Sequence, residues 1–112
     1  MVHVLYTKSY DRTLKKLNKY QKERQILVSI LDFIRNSENI QSIKTSGLAL
    51  MYGFEQLKHN FNKYHSFNLS KNGGVIRLIV YLNSACECVE ILYISYDHYK
   101  DFDESKVIYY DE

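Results

Sequence analysis

The 112-residue chain has no proline and no tryptophan, only four glycines and only two cysteines. Without proline and with so little glycine, it holds no collagen-like repeat, no proline-rich linker and little material for a loop-dominated fold. Cys86 and Cys88 are too close in sequence to staple distant segments, so a disulfide scaffold is excluded. The expected compartment is the cytosol, with both thiols reduced. No apolar run approaches the roughly 18–20 residues that span a bilayer, so no membrane association is expected. The first residues, Met1-Val2-His3-Val4-Leu5-Tyr6, have no basic region followed by an apolar stretch, and no signal peptide is expected. Cys86-Glu87-Cys88 lacks the CxxC spacing of a zinc site, no second pair follows it, and four dispersed histidines do not complete one. Gly73-Gly74 lacks the Lys-Ser/Thr of a phosphate loop, and no Ser sits in a nucleophile elbow. Neither a metal nor a small-molecule cofactor is expected.

What is present describes one ordered domain. Apolar residues make up 46% and charged residues 25%, the balance of a globular chain, and the length suits one core. Net charge is only +2, but it is unevenly spread. Residues 1–80 carry 13 Lys and Arg against 5 Asp and Glu, whereas residues 81–112 carry 2 against 8. A basic body with an acidic C-terminal part suggests an anionic partner for the body; a merely solvated surface is the alternative. Eleven tyrosines are the second oddity. A Tyr ring can stack on a base and donate a hydrogen bond, though most of the eleven are expected at core edges.

Residues 2–6 are β-branched or aromatic enough for a short strand. Thr7 and Ser9 are helix-start residues. Tyr10, Leu14 and Leu17 recur at helical spacing, and Leu27, Ile30, Leu31 and Ile34 fit an i, i+3, i+4, i+7 stripe. These patterns predict helices over residues 9–20 and 22–36, forming an αα-hairpin. Residues 39–53 read as a helical turn or an irregular crossing, and 54–59 as one short turn. From 63 onward the period is two. Lys63 to Ser70 alternates, Lys71-Asn72-Gly73-Gly74 is a hairpin turn, Val75 to Leu82 is a strand, Asn83-Ser84-Ala85 turns again, and Cys88 to Tyr96 is a strand. The order β-α-α-β-β-β predicts an α+β, two-layer domain: an N-terminal strand and αα-hairpin packed on an antiparallel meander.

The informative residue is Arg77, a charge flanked by Ile76 and Leu78 in the middle strand of the meander. Alternation places it with Val75, Ile79 and Tyr81, opposite Ile76, Leu78, Val80 and Leu82. It should face away from the helices, together with Tyr64, Ser66 and Asn68. Arg binds phosphate through two parallel N–H bonds, so an open sheet face carrying Arg77 is a candidate phosphate site. The alternative is a structural ion pair with a neighbouring carboxylate such as Glu90. Glu55, Lys58, His59, His65, His98 and Tyr99 complete the inventory. A carboxylate, an imidazole and an arginine suffice for acid–base cleavage of a phosphodiester, although lone histidines more often pack or hydrogen-bond.

At these residues the chain resembles a family. Glu55-Gln56-Leu57-Lys58-His59-Asn60 is similar to the Glu-x-Leu-Lys-His-Asn segment of the YoeB-type mRNA interferases in the RelE/ParE superfamily. Tyr64-His65-Ser66 follows as an aromatic-x-Ser strand. Ile76-Arg77-Leu78-Ile79-Val80-Tyr81 is similar to the family's His-Arg-Leu-Val-Tyr strand, and Tyr96-Asp97-His98-Tyr99 to its closing Tyr-His-Tyr. The resemblance covers roughly residues 1–99 as a RelE-like toxin domain. It implies the toxin of a type II toxin–antitoxin system, a metal-independent endoribonuclease cleaving mRNA on the ribosome. Carried over by position, Glu55 is the general base, Arg77 the phosphate-binding Arg, and His98 and Tyr99 the C-terminal catalytic pair. Lys58, His59, Tyr64, Asn68 and Tyr81 are the expected RNA-binding residues beside them. The implied partners are a cognate antitoxin, mRNA and the ribosome. A homodimer and a heteromeric complex with the antitoxin are both left open.

Three departures accompany the resemblance. Ser66-Phe67-Asn68 stands where the family has Ser-Arg-Arg, so Asn68 replaces a phosphate-contacting Arg. The Ser70 to Val75 hairpin is longer. The chain continues past Tyr99 as an acidic extension, residues 100–112, with five acidic groups against Lys100 and Lys106. Val107-Ile108-Tyr109-Tyr110 in that tail is β-prone and is expected to fold back as an added edge strand beside His98 and Tyr99. Two other functions stay open: a ParE-like inhibitor of DNA gyrase, against which Glu55 and His98 argue, and a non-catalytic protein-binding module of the same fold, which Asn68 and the acidic tail favour.

Overall fold

The computed structural model describes residues 2–70 and 74–110. Three of the four residues of the expected hairpin turn, 71–73, lie outside them, as do the last two acidic residues. Strand β1 (His3–Tyr6) leads into helix α1 (Lys8–Leu14), a 3-10 segment (Lys15–Lys19) and helix α2 (Gln21–Asn36). Two short helices, α3 (Ile40–Thr45) and α4 (Gly47–Met51), precede strands β2 (Glu55–Gln56), β3 (His65–Asn68), β4 (Arg77–Asn83) and β5 (Cys88–Ser95). The strands form one sheet in the order β1-β5-β4-β3-β2, with β1 parallel to β5 and the other pairs antiparallel. The α+β, two-layer expectation holds. β1 pairs along the outer side of β5, and the helices carry the chain from β1 to β2 at the opposite edge of the sheet.

Local chemistry explains most boundaries. Thr7 caps α1, its hydroxyl oxygen accepting the Tyr10 N–H at 3.0 Å. Helix expectation and structure differ at 15–19, where the chain tightens to 3-10 geometry. Three residues per turn line up Leu14, Leu17 and Tyr20, and all three reach the core. The segment read as a helical turn or an irregular crossing is α3 and α4. Each is capped by a side chain, Asn39 accepting from the Ser42 N–H and Ser46 from the Leu48 N–H. The helix-side core joins Leu17, Leu27, Ile30 and Ile34 to Phe67, Leu69, Leu78, Val80, Val89, Ile91 and Ile94.

The β5 strand carries one extra residue. Ile79 pairs with Tyr93 but Val80 pairs with Ile91, so Leu92 bulges. Before the bulge Val89 and Ile91 face the helices; after it Ile94 does. Leu92 instead joins Leu57, Tyr64, Ile79 and Phe102 in a second cluster on the other face. The shift places Ser95 opposite Arg77 in register on that second face. Helix α1 fixes this part of β5. The Thr7 hydroxyl lies 3.0 Å from the carbonyl oxygens of both Ile91 and Leu92, and Thr13 Oγ1 accepts the Ile94 N–H at 2.9 Å.

Two expectations are corrected. The tail folds back, but residues 107–110 form no strand. Their backbone bonds to a helix start and not to a sheet edge. The Ile108 carbonyl accepts the N–H groups of Lys8 and Ser9, and the Ile108 N–H donates to Ser9 Oγ at 2.7 Å. These first-turn donors have no partner within α1, which makes the helix start a better acceptor of the tail than β1. Cys86 and Cys88, expected as two thiols, are joined as a disulfide in the turn between β4 and β5.

Replacing Thr7 with Val should destabilise the fold by about 2 kcal/mol, since it removes the cap and the buried hydroxyl's bonds to β5. Urea denaturation measures this. An unchanged midpoint would contradict the role given to the hydroxyl.

Candidate functional site

The face turned away from the helices carries a row of polar side chains across four adjacent strands. Glu55 on β2 pairs directly with Ser66 on β3. Ser66 in turn pairs with Ile79, so Arg77 on β4 lies diagonal to it, within reach of a long side chain. Ser95 on β5 is opposite Arg77. Beyond β5 the chain turns back, and the His98 N–H donates to the Val75 carbonyl at 2.9 Å. That bond brings His98 to the start of β4.

Arg77 is the centre of the arrangement. Its side chain is only 11% exposed, and Nη1 lies 3.1 Å from Glu55 Oε1, whose side chain is 48% exposed. The same Nη1 donates to Ser66 Oγ at 3.4 Å, and Nη2 lies 3.4 Å from His98 Nε2. A guanidinium can only donate, so His98 Nε2 is the acceptor here. Among the described residues Arg77 Nε is buried without a partner. An orphaned donor of this kind costs about 1–3 kcal/mol, so stability alone is a poor reason for this side chain. Glu90, the alternative partner, is engaged elsewhere, accepting from Tyr109 Oη at 2.8 Å.

His98 and Tyr99 both have left-handed backbone, with φ of 53° and 59°. Each such non-glycine residue costs roughly 1–2 kcal/mol. The conformation therefore depends on the contacts around the turn. The His98 and Tyr99 rings lie 5.3 Å apart, and Tyr99 meets the edge of Phe61 at 6.4 Å.

The remaining sequence candidates are less closely gathered. Lys58 and His59 are exposed at the entry to a 3-10 turn (His59–Phe61), and among the described residues neither is bonded to Arg77, Glu55 or His98. Asn68 shares the register of Arg77, yet its Oδ1 accepts the Ser70 N–H at 3.0 Å. That bond ties Asn68 to the start of the turn after β3. Tyr64 is placed differently from its expected role. It is 7% exposed, packed edge-to-face against Phe102 at 5.3 Å, and its hydroxyl donates to Glu104 Oε2 at 2.7 Å. Burial first, then that carboxylate, pushes the Tyr64 hydroxyl well above the usual phenol range. Its ring is covered by the tail and offers no stacking face to a base. Tyr81 is half-buried against Tyr64. Sequence reading missed that the tail covers this side of the sheet; Phe102, a lone aromatic among acidic residues, was the available signal.

His65 lies outside the cluster. It stacks on Phe54 at 4.9 Å, with Nδ1 buried and unpartnered among the described residues. Burial, then repulsion from Lys44, lowers its pKa below the ordinary 6.5. The unfolded chain therefore takes up this proton more readily than the folded one. His65 contributes stability that is full above about pH 6.5 and is lost as pH falls below it. His65→Phe should keep the stack and flatten the loss of melting temperature between pH 7 and pH 5. A variant with the wild-type slope would contradict this.

No protein-family model and no curated protein matches the sequence. The fold does match solved structures. A copper-bound L66S mutant toxin from Helicobacter pylori is 15% identical over 91% of this chain and 100% of that one, with a TM-score of 0.65. The E. coli DinJ-YafQ toxin-antitoxin complex contains a chain 17% identical over 91% of this chain and 98% of that one, TM-score 0.64. YoeB from Staphylococcus aureus, solved as a dimer, is 18% identical over 85% of this chain and 95% of that one, TM-score 0.55. The chain has the RelE-like α+β fold of these structures, as the resemblance implied.

Proposed function

We propose that this protein is the toxin of a toxin–antitoxin pair, and that it cleaves mRNA on the ribosome by acid–base chemistry on the phosphodiester. The observation that carries the reading is Arg77 held between a carboxylate and an imidazole at the end of an open sheet. Cleavage by the substrate's own 2′-hydroxyl needs three groups. A base takes the hydroxyl proton, a cation meets the charge on the non-bridging phosphate oxygens, and an acid protonates the departing 5′ oxygen.

Glu55, half-exposed and ionisable, is assigned the base. Arg77 binds the phosphate through its terminal nitrogens, exchanging its long contacts to Ser66 and His98 for shorter charge-assisted ones. His98, released from Arg77 and protonated at Nε2, is the acid. Tyr99 stacks on a neighbouring base. Lys58 and His59, exposed a few residues beyond Glu55, extend the positive surface along the RNA. A cognate antitoxin is the expected protein partner, supported by the fold shared with the YafQ of a toxin-antitoxin complex. A second reading, a non-catalytic protein-binding module, is favoured by one observation: the tail covers Tyr64 and part of the same face.

Induced expression followed by mapping of RNA 5′ ends tests the reading. Wild type should arrest growth and produce new mRNA ends. Glu55→Gln and His98→Gln should each lower cleavage by about 10²–10⁴-fold. Arg77→Ala should lower it by about 10²–10³-fold. All three should keep the wild-type circular dichroism spectrum. A folded triple variant as toxic as wild type would favour the binding-module reading.

The three assigned groups complete the reaction without a metal ion. Purified protein on ribosomes programmed with mRNA should therefore cleave in EDTA, with ribosome integrity controlled. Loss in EDTA with specific recovery on zinc or manganese would contradict the mechanism.

A further inference from the structure

The turn carrying His98 and Tyr99 is strained, and the residues that hold it lie partly beyond the resemblance. Ser95 is fully buried on β5, opposite Arg77. Its Oγ accepts the Tyr99 N–H at 2.7 Å and the Asp97 N–H at 3.3 Å. A hydroxyl that accepts twice has its own proton left to place, and Ser95 donates it to Asp101 Oδ1. The other oxygen of the same carboxylate accepts the Tyr96 N–H at 3.1 Å. Asp101 thus closes a ring of bonds around residues 95–101 with both carboxylate oxygens used. Phe102, next in sequence, anchors the closure from below. It is 3% exposed and packs on Phe61, Tyr64 and Tyr93 at 5.3–5.7 Å.

We propose that Asp101, acting through Ser95, is a positioning residue that holds the His98–Tyr99 turn in its left-handed conformation beside Arg77. The proposal rests on the ribonuclease reading for its catalytic consequence, not for its structural one. Asp101 faces Ser95 and the Tyr96 backbone, and touches none of Glu55, Arg77 or His98 among the described residues. The acidic extension is then part of the site's framework. Its first residues supply the constraint, and its later ones cover the sheet and cap α1. The bulge at Leu92 belongs to the same device, because without it Ser95 would face the helices.

Two measurements on the full chain separate the structural claim from the catalytic one. In Asp101→Ala, amide hydrogen exchange at His98 and Tyr99 should rise at least tenfold, while Ile79 and Ile91 keep wild-type protection. Asp101→Asn retains one acceptor and should restore part of the protection. Cleavage on ribosomes should fall about 10–100-fold in kcat with little change in KM, the size expected from a misplaced group. In a His98→Gln background Asp101→Ala should cost clearly less than in wild type, the remainder being what Tyr99 loses. Unchanged exchange at 98–99, or an equal kcat loss with His98 already replaced, would overturn the proposal. Local exchange that rises in a protein whose wild type cleaves no mRNA would uphold the hold on the turn and overturn the ribonuclease reading.

Discussion

The arrangement depends on placing one guanidinium on a sheet face with almost no water around it. Arg77 is 11% exposed, and a buried cation is tolerated only where donors find acceptors. Here the acceptors come from three other segments: Glu55 at the sheet edge, Ser66 on the adjacent strand, and His98 beyond the last strand. The backbone pairing of β2 on β3 and the return of the chain after β5 bring these acceptors to the guanidinium. Among the described residues Nε still finds no acceptor, a cost that a residue kept only for packing would not carry.

The surrounding structure divides the work between two cores. Helices α1 and α2 close the larger one against Phe67, Leu78, Val80 and Ile91, and Thr7 and Thr13 join α1 to the backbone of β5. The smaller core lies on the opposite face. Leu57, Tyr64, Ile79 and Leu92 are sealed there by Phe102 from the extension. Among the described residues, Glu55 stays half-exposed at the other end of this face, beside Arg77. Tyr96 links the two sides, its hydroxyl donating to the Thr13 carbonyl at 2.7 Å. Burial is the main reason that hydroxyl's pKa is pushed up to about 12, and the phenol stays a donor across the physiological range.

Sequence patterns revealed those parts whose signal is local and periodic. The alternation in 75–82 placed Arg77 away from the helices, and the stripe of Leu27, Ile30, Leu31 and Ile34 located α2. What was hidden depends on tertiary contacts. Strand β2 has only two residues and exists because Ser66 and His65 pair with it. The bulge at Leu92 leaves no mark in a run of apolar residues that could alternate either way. Helices α3 and α4 are five or six residues long, too short for a periodic signal, and rest on their caps. The tail misled because β-prone residues 107–110 found unpaired helix donors instead of a strand. Of the candidate residues, Glu55, Arg77 and His98 meet in space. Tyr64 went under the tail, since an aromatic ring reads the same in sequence whether it stacks on RNA or on Phe102.

The central claim is that Glu55, Arg77 and His98 direct a 2′-hydroxyl onto the neighbouring phosphate. The chemical nature of the new RNA ends tests it most directly. Mass spectrometry of fragments from ribosomes incubated with the purified protein should find 2′,3′-cyclic phosphate, or its hydrolysis product, on the upstream fragment and a free 5′-hydroxyl on the downstream one. Fragments ending in a 3′-hydroxyl and a 5′-phosphate would contradict the account, because water and not the 2′-hydroxyl would then have attacked.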